Sequence, residues 1–155
     1  MKEFVPYLIF DGNSRDVINF YRNCFGGEIL RYSYHDYKLT KNESESIIYS
    51  KLKVNGKTLL IISDGCQSCK DYLGENEYQC GDSLRYSAKV QSKDVVISID
   101  CESANEFTTY YDNLALGGEI VTSPDEYSGI EMYGKVKDKF GIHWALNFVP
   151  EIDAK

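Results

Sequence analysis

The chain has 155 residues, 43% of them hydrophobic and 26% charged, enough to bury the core of a single domain without metal or disulfide staples. Its formal charge of −7 argues against binding to nucleic acid, because phosphates repel an acidic chain unless a basic patch offsets the total. The nearest basic group, Lys51, Lys53 and Lys57, reads as the wet face of a hairpin.

No apolar stretch approaches the ~18 residues needed to cross a bilayer, so no membrane partner is expected. The N-terminus lacks the layout of a signal peptide. Five cysteines, an odd number spread along the chain, do not form a secreted disulfide framework, so a cytoplasmic location is expected. Thirteen tyrosines stand against one tryptophan. Tyrosine joins an apolar face to a hydroxyl and suits strand surfaces and pocket walls.

Residues 5–10, Val-Pro-Tyr-Leu-Ile-Phe, form a short apolar run closed by Asp11-Gly12-Asn13, which predicts a strand and a turn. Pro6 lacks a ladder N–H and suits a strand start or an edge. Val17, Phe20, Tyr21, Cys24 and Phe25 then recur at helical spacing. Asn13 or Ser14 is placed to cap this helix, and Gly26-Gly27 to stop it. Residues 28–34 read as a strand. Residues 47–54 and 58–63 read as a hairpin across Asn55-Gly56, a pair suited to a type I′ turn.

A polar, cysteine-containing linker (65–93) follows. Residues 95–99 read as a strand, and Ser103-Ala104-Asn105-Glu106 has the spacing of a capping box. Phe107, Tyr110, Tyr111 and Leu114 form the next apolar stripe, which Gly117-Gly118 ends. Residues 119–122, 130–137 and 143–148 supply three more strands. The chain also repeats itself. Phe20-Tyr21-Arg22-Asn23 leads to Gly26-Gly27-Glu28-Ile29, and Tyr110-Tyr111-Asp112-Asn113 leads to Gly117-Gly118-Glu119-Ile120. The predicted class is α+β: βαβββ twice, each copy a mixed sheet curved around a central cleft with helices outside. The expected organisation is one domain, 1–155, built from repeat 1 (4–64), the linker and repeat 2 (94–149).

Tyr7-Leu8-Ile9-Phe10-Asp11-Gly12-Asn13, Phe20-Tyr21, Phe25-Gly26-Gly27-Glu28-Ile29 and Phe140-Gly141-Ile142-His143-Trp144-Ala145-Leu146 are similar to the PhnB-like branch of the glyoxalase/bleomycin-resistance/dioxygenase (vicinal oxygen chelate) superfamily. The resemblance covers all but the linker and implies a duplicated βαβββ fold and a homodimer. Its members include metal-dependent lyases, isomerases and dioxygenases, thiol transferases and metal-free drug-sequestering proteins, so fold does not decide function. The superfamily's metal positions fall, within about a residue, at Val5, Leu60, Asp94 and Ala145. The His and acid that PhnB-like relatives often carry on the third strand match Tyr49 and Lys51. Only Asp94 suits a divalent metal, which normally needs at least three protein ligands, so neither metal nor other cofactor is expected.

Strand alternation places Val5, Tyr7 and Ile9, then Thr58, Leu60 and Ile62, then Val96 and Ser98, and finally His143, Ala145 and Asn147, along the cleft. Tyr49 and Lys51 reach it from the third strand. His143 is the candidate general base or orienting donor, while His35, beside Asp36, reads as solvated. The expected ligand set is therefore Tyr7, Tyr49, Lys51, Leu60, Ser98, His143, Ala145 and Asn147, around a hydrophobic or aromatic small molecule with a polar group. Two other readings stand beside this metal-independent binder. One is a lyase, transferase or dioxygenase with an irregular metal site at Asp94, His143 and Glu131. The other is a redox- or zinc-responsive interaction module at Cys66, Cys69 and Cys80.

Overall fold

A computed structural model describes residues 4–10, 13–33, 47–64, 95–127 and 131–150. They form two compact units, each a helix against a four-stranded sheet. The first contains β1 (Tyr7–Phe10), α1 (Ser14–Phe25), β2 (Glu28–Ser33), β3 (Ile47–Val54) and β4 (Lys57–Asp64). The second contains β5 (Val96–Asp100), α2 (Ala104–Ala115), β6 (Glu119–Tyr127), β7 (Glu131–Lys137) and β8 (His143–Phe148). The strand orders, β1-β4-β3-β2 and β5-β8-β7-β6, are the same arrangement twice. In each, the first strand runs parallel to the fourth and the remaining pairs are antiparallel.

Each helix forms because its apolar residues fall on one stripe that one sheet face can bury. Val17, Ile18, Tyr21, Cys24 and Phe25 of α1 are buried, as are Leu52, Leu60 and Ile62 of the sheet. Ile18 joins the stripe that spacing alone assigned to Phe20, which is half-buried. In the second unit Phe107, Tyr111 and Leu114 are buried with Val136, Trp144 and Leu146. Each such side chain contributes about 1.5–3 kcal/mol when removed from water. Gly134 leaves room for the stacked Phe107 and Tyr111 rings: a Cβ there would lie 2.6 Å from Tyr111 Cε2.

The two helices begin differently. Ser103 accepts a hydrogen bond from Glu106 N–H at 3.1 Å, as the capping-box spacing predicts, while the Glu106 carboxylate accepts from Glu102 N–H at 2.7 Å, one residue before the cap. In α1 the Asn13 side chain makes no capping bond. Asp64, at the far end of β4, does the work instead, accepting from Ser14 N at 2.8 Å and Ser14 Oγ at 2.7 Å. A cap so distant in sequence escapes any local motif.

The repeated Gly-Gly does more than stop a helix. A Cβ on Gly27 would overlap the carbonyl oxygen of Lys53, and one on Gly118 would overlap that of Lys137. The strand leaving each helix thus crosses the backbone of the unit's third strand too closely for any side chain. The register agrees: Glu28 lies opposite Lys53 and Glu119 opposite Lys137. Asn55 and Gly56, at φ 50° and 78°, make the predicted hairpin turn.

Asp138 is buried at the β7–β8 turn with every oxygen engaged. Phe140 N (2.9 Å) and Ile142 N (3.0 Å) donate to Oδ1, and Trp144 Nε1 (2.8 Å) donates to Oδ2.

Candidate functional site

Directly paired residues of neighbouring strands point to the same side of a sheet. In each unit one side lies under the helix, and the other, helix-free side carries the candidate residues.

In the first unit Tyr7 pairs with Ile61, Ile61 with Lys51, Lys51 with Leu30, and Tyr49 with Tyr32. These residues, with Ile9 and Ser63, make up the helix-free face. Tyr32 and Tyr49 stack with ring centroids 4.6 Å apart and planes 20° from parallel. Lys51 Nζ lies over both rings, 5.4 Å from the Tyr32 centroid and 5.7 Å from that of Tyr49, within cation–π range. Tyr7 is 50% exposed.

Leu60 and Ile62 are not on this face. Both are fully buried on the helix side, opposite Leu52 and Ser50. The expectation for them is corrected by one residue of register, and Ile61 takes Leu60's place. The cause is local: Leu59-Leu60-Ile61-Ile62 is apolar throughout, so alternation cannot choose a face. The ladder also shifts between Leu52 and Lys53, which no count along the strand reveals.

In the second unit Val96 pairs with His143, Ser98 with Ala145, and Asp100 with Asn147. Tyr133, Lys135 and Lys137 stand opposite Asn147, Ala145 and His143. Ser98, His143, Ala145 and Asn147 therefore share one face, as alternation predicts, with Trp144 and Leu146 buried on the other. Asn147 Nδ2 donates to Ser98 Oγ at 3.0 Å and to Asp100 Oδ1 at 3.2 Å. Lys135 Nζ lies 5.7 Å from the Tyr133 ring centroid.

The two faces share a pattern beyond the Gly-Gly-Glu-Ile repeat. Tyr49-Ser50-Lys51-Leu52-Lys53 on β3 and Tyr133-Gly134-Lys135-Val136-Lys137 on β7 are the same Tyr-x-Lys-x-Lys. Lys51 lies opposite Ile61 and Lys135 opposite Ala145, equivalent places in the two sheets. The signal was present as a second repeat behind Gly-Gly-Glu-Ile. It was masked because alternating lysines beside a turn look like a solvated hairpin.

The residues do not fit the superfamily's metal. Val5, Ala145 and either Leu60 or Ile61 offer no donor atom, Tyr49 and Lys51 are poor ligands, and Asp94 lies outside the described residues. Among the described residues no three His, Cys, Asp or Glu side chains gather where they could hold an ion. His35, Asp36, Cys66, Cys69 and Cys80 also lie outside the described residues. Cys24 and Cys101 are buried. Burial, then the charges of Glu106 and Asp100, push the Cys101 thiol up to about 12. Among the described residues no helix is long and apolar enough to cross a membrane.

No protein-family profile matches the chain. Protein YjdN of Escherichia coli (strain K12) is 25% identical over 146 residues, which cover 94% of this chain and 95% of YjdN. The solved structure of protein PA1353 from Pseudomonas aeruginosa is similar at a TM-score of 0.65 and 24% identity, over 96% of this chain and 98% of that one. The PhnB protein from Bacillus cereus gives 0.59 and 20%, over 95% and 99%. A glyoxalase/bleomycin resistance protein/dioxygenase family enzyme from Burkholderia phytofirmans PsJN gives 0.60 and 12%, over 93% and 95%. The chain has the PhnB-like, glyoxalase-type fold. The α+β class and the duplicated units expected from the sequence stand.

Proposed function

We propose that the chain binds a small organic molecule on its helix-free sheet faces and does so without a metal ion. One observation carries this reading. The helices cover one side of each sheet with an apolar core, whereas the other side carries aromatic, ammonium, hydroxyl, amide and imidazole groups that are half-buried or exposed, among them Tyr49 and Lys51. On the face of the first unit Tyr7 and Tyr49 supply flat walls and Lys51 a polar point; on the face of the second unit Ser98, His143 and Asn147 supply polar points around the small Ala145. An apolar floor with a few placed polar groups is the composition of a small-molecule site.

In this proposal the repeats (4–64 and 94–149) and the linker (65–93) act as one domain, in a cytoplasmic homodimer. The test is calorimetric titration with aromatic compounds bearing one polar group, with chelator and after addition of Mn, Fe, Ni or Zn. Binding that persists in chelator supports the proposal. Binding that appears only with added metal overturns it. Light scattering in the same buffer checks the dimer.

A further inference from the structure

We infer that the ligand is a planar aromatic carboxylate, held in the first repeat with its ring against the Tyr32–Tyr49 stack and its carboxylate on the Lys51 ammonium. This rests on the reading of the helix-free faces as ligand surfaces and names the chemistry one of them selects.

Among the described residues Lys51 is a lysine held against two rings at once. The chain carries 24 Asp and Glu against 17 Lys and Arg, so acidic partners are plentiful. Yet among the described residues no carboxylate pairs with Lys51, whose contacts are the two tyrosine rings. An ammonium carries three N–H donors, and a ring face attracts the charge without satisfying those donors as an oxygen would. Leu30 and Ile61 stand directly opposite Lys51 on the two neighbouring strands. Apolar neighbours lower the local dielectric, which strengthens pairing with an anion that reaches the site.

The two rings supply the other half of the specificity. Stacked at 4.6 Å and nearly parallel, they form a flat apolar surface beside the charge. A third ring laid on that surface gains offset stacking of about 0.5–1.5 kcal/mol beyond its buried area. One lysine offers one positive charge, which matches a carboxylate better than a phosphate carrying about −1.5 to −2.

The second repeat repeats the lysine but not the environment. Asp100 pairs in register with Asn147, which in turn stands opposite Tyr133, so a fixed carboxylate shares that face. It disfavours a second anion, and one equivalent of ligand per chain follows.

The experiment is calorimetric titration of the full chain with 2-naphthoate and with its uncharged analogue 2-naphthol. Wild-type protein is expected to take about one equivalent of naphthoate and to prefer it over naphthol by about tenfold or more, the effect of one charge-assisted hydrogen bond. Lys51→Met should abolish that preference and leave naphthol binding within about twofold. Lys51→Arg should retain it, and Lys135→Met should change neither ligand. Equal affinity for the two probes, or a naphthoate preference that survives Lys51→Met, overturns this inference while the wider reading of the faces stands. If neither probe binds wild-type protein, both fall. Matching thermal midpoints for the variants show that a lost preference reflects recognition and not unfolding.

Discussion

Gly27→Ala is expected to be among the most damaging single-methyl changes in the chain, and neighbouring glycines separate its causes. At φ 86° Gly27 adopts the left-handed region, which costs a residue with a side chain about 1–2 kcal/mol. Its new methyl would also overlap the Lys53 carbonyl oxygen, a backbone atom held by the β2–β3 ladder. Relief requires the strands to part where Glu28 faces Lys53, and overpacking of this kind costs about 1–3 kcal/mol. Together these remove about 2–5 kcal/mol from a domain whose total stability is of order 5–15 kcal/mol.

Gly26→Ala carries the conformational cost alone, since φ is 74° and nothing lies within 4 Å of the added atom. Gly118→Ala carries the overlap alone, against the Lys137 carbonyl, without a left-handed φ. Urea unfolding followed by circular dichroism measures all three. With a slope of about 1–3 kcal/mol per molar, the Gly27 variant should lose about 1 M or more in midpoint, clearly beyond Gly26→Ala. Equal midpoints for Gly26→Ala and Gly27→Ala would refute the close-approach argument.

Asp138→Ala should cost about 2–4 kcal/mol, because three donors, including the buried Trp144 indole N–H, lose their acceptor; urea unfolding read by Trp144 fluorescence checks it. Asp64→Ala should cost about 1–2 kcal/mol and raise amide exchange in the first turn of α1, since that helix has no cap of its own. Native protein at pH 8 should leave Cys101 unmodified by Ellman's reagent, because a thiol at about 12 is ionised in only about one molecule in ten thousand at that pH. This folded value lies above the ordinary 9.0, so the protonated thiol's contribution to stability is complete below pH 9. It fades as pH rises from 9 towards 12, and denaturation midpoints across that window in wild type and Cys101→Ser measure the loss.

Much of the fold was legible because its punctuation is chemical. Asn55-Gly56 fixed a turn, Ser103 to Glu106 a helix start, and the repeated Gly-Gly-Glu-Ile the duplication itself. Residues 47–54 and 143–148 were read to their observed ends. The candidate site was legible where polarity alternates, as in His143-Trp144-Ala145-Leu146-Asn147. It failed at Leu60 because four consecutive apolar residues carry no period and a shifted ladder decides which face each takes. The Asp64–Ser14 clasp was out of reach for another reason: its partners lie 50 residues apart, and only the closed β1–β4 pairing brings them together. The Tyr32–Tyr49–Lys51 stack was half visible, since Tyr49 and Lys51 were singled out whereas Tyr32 joins them through cross-strand register.

The parallel pairing of first and fourth strands has a consequence for the order in which the protein is made. β1 leaves the ribosome early, yet its ladder partner is β4, and the clasp on α1 waits for Asp64. The first unit therefore closes late in its own synthesis, but it then has its sheet, helix and core within the first 64 residues. A nascent chain can bury that surface before the second repeat is translated. The second repeat has no such margin. β8 lies between β5 and β7 and follows both along the chain, so a chain halted short of His143 leaves both neighbours with open edges. Such edges recruit other chains, so a pause before β8 exposes the second unit to aggregation.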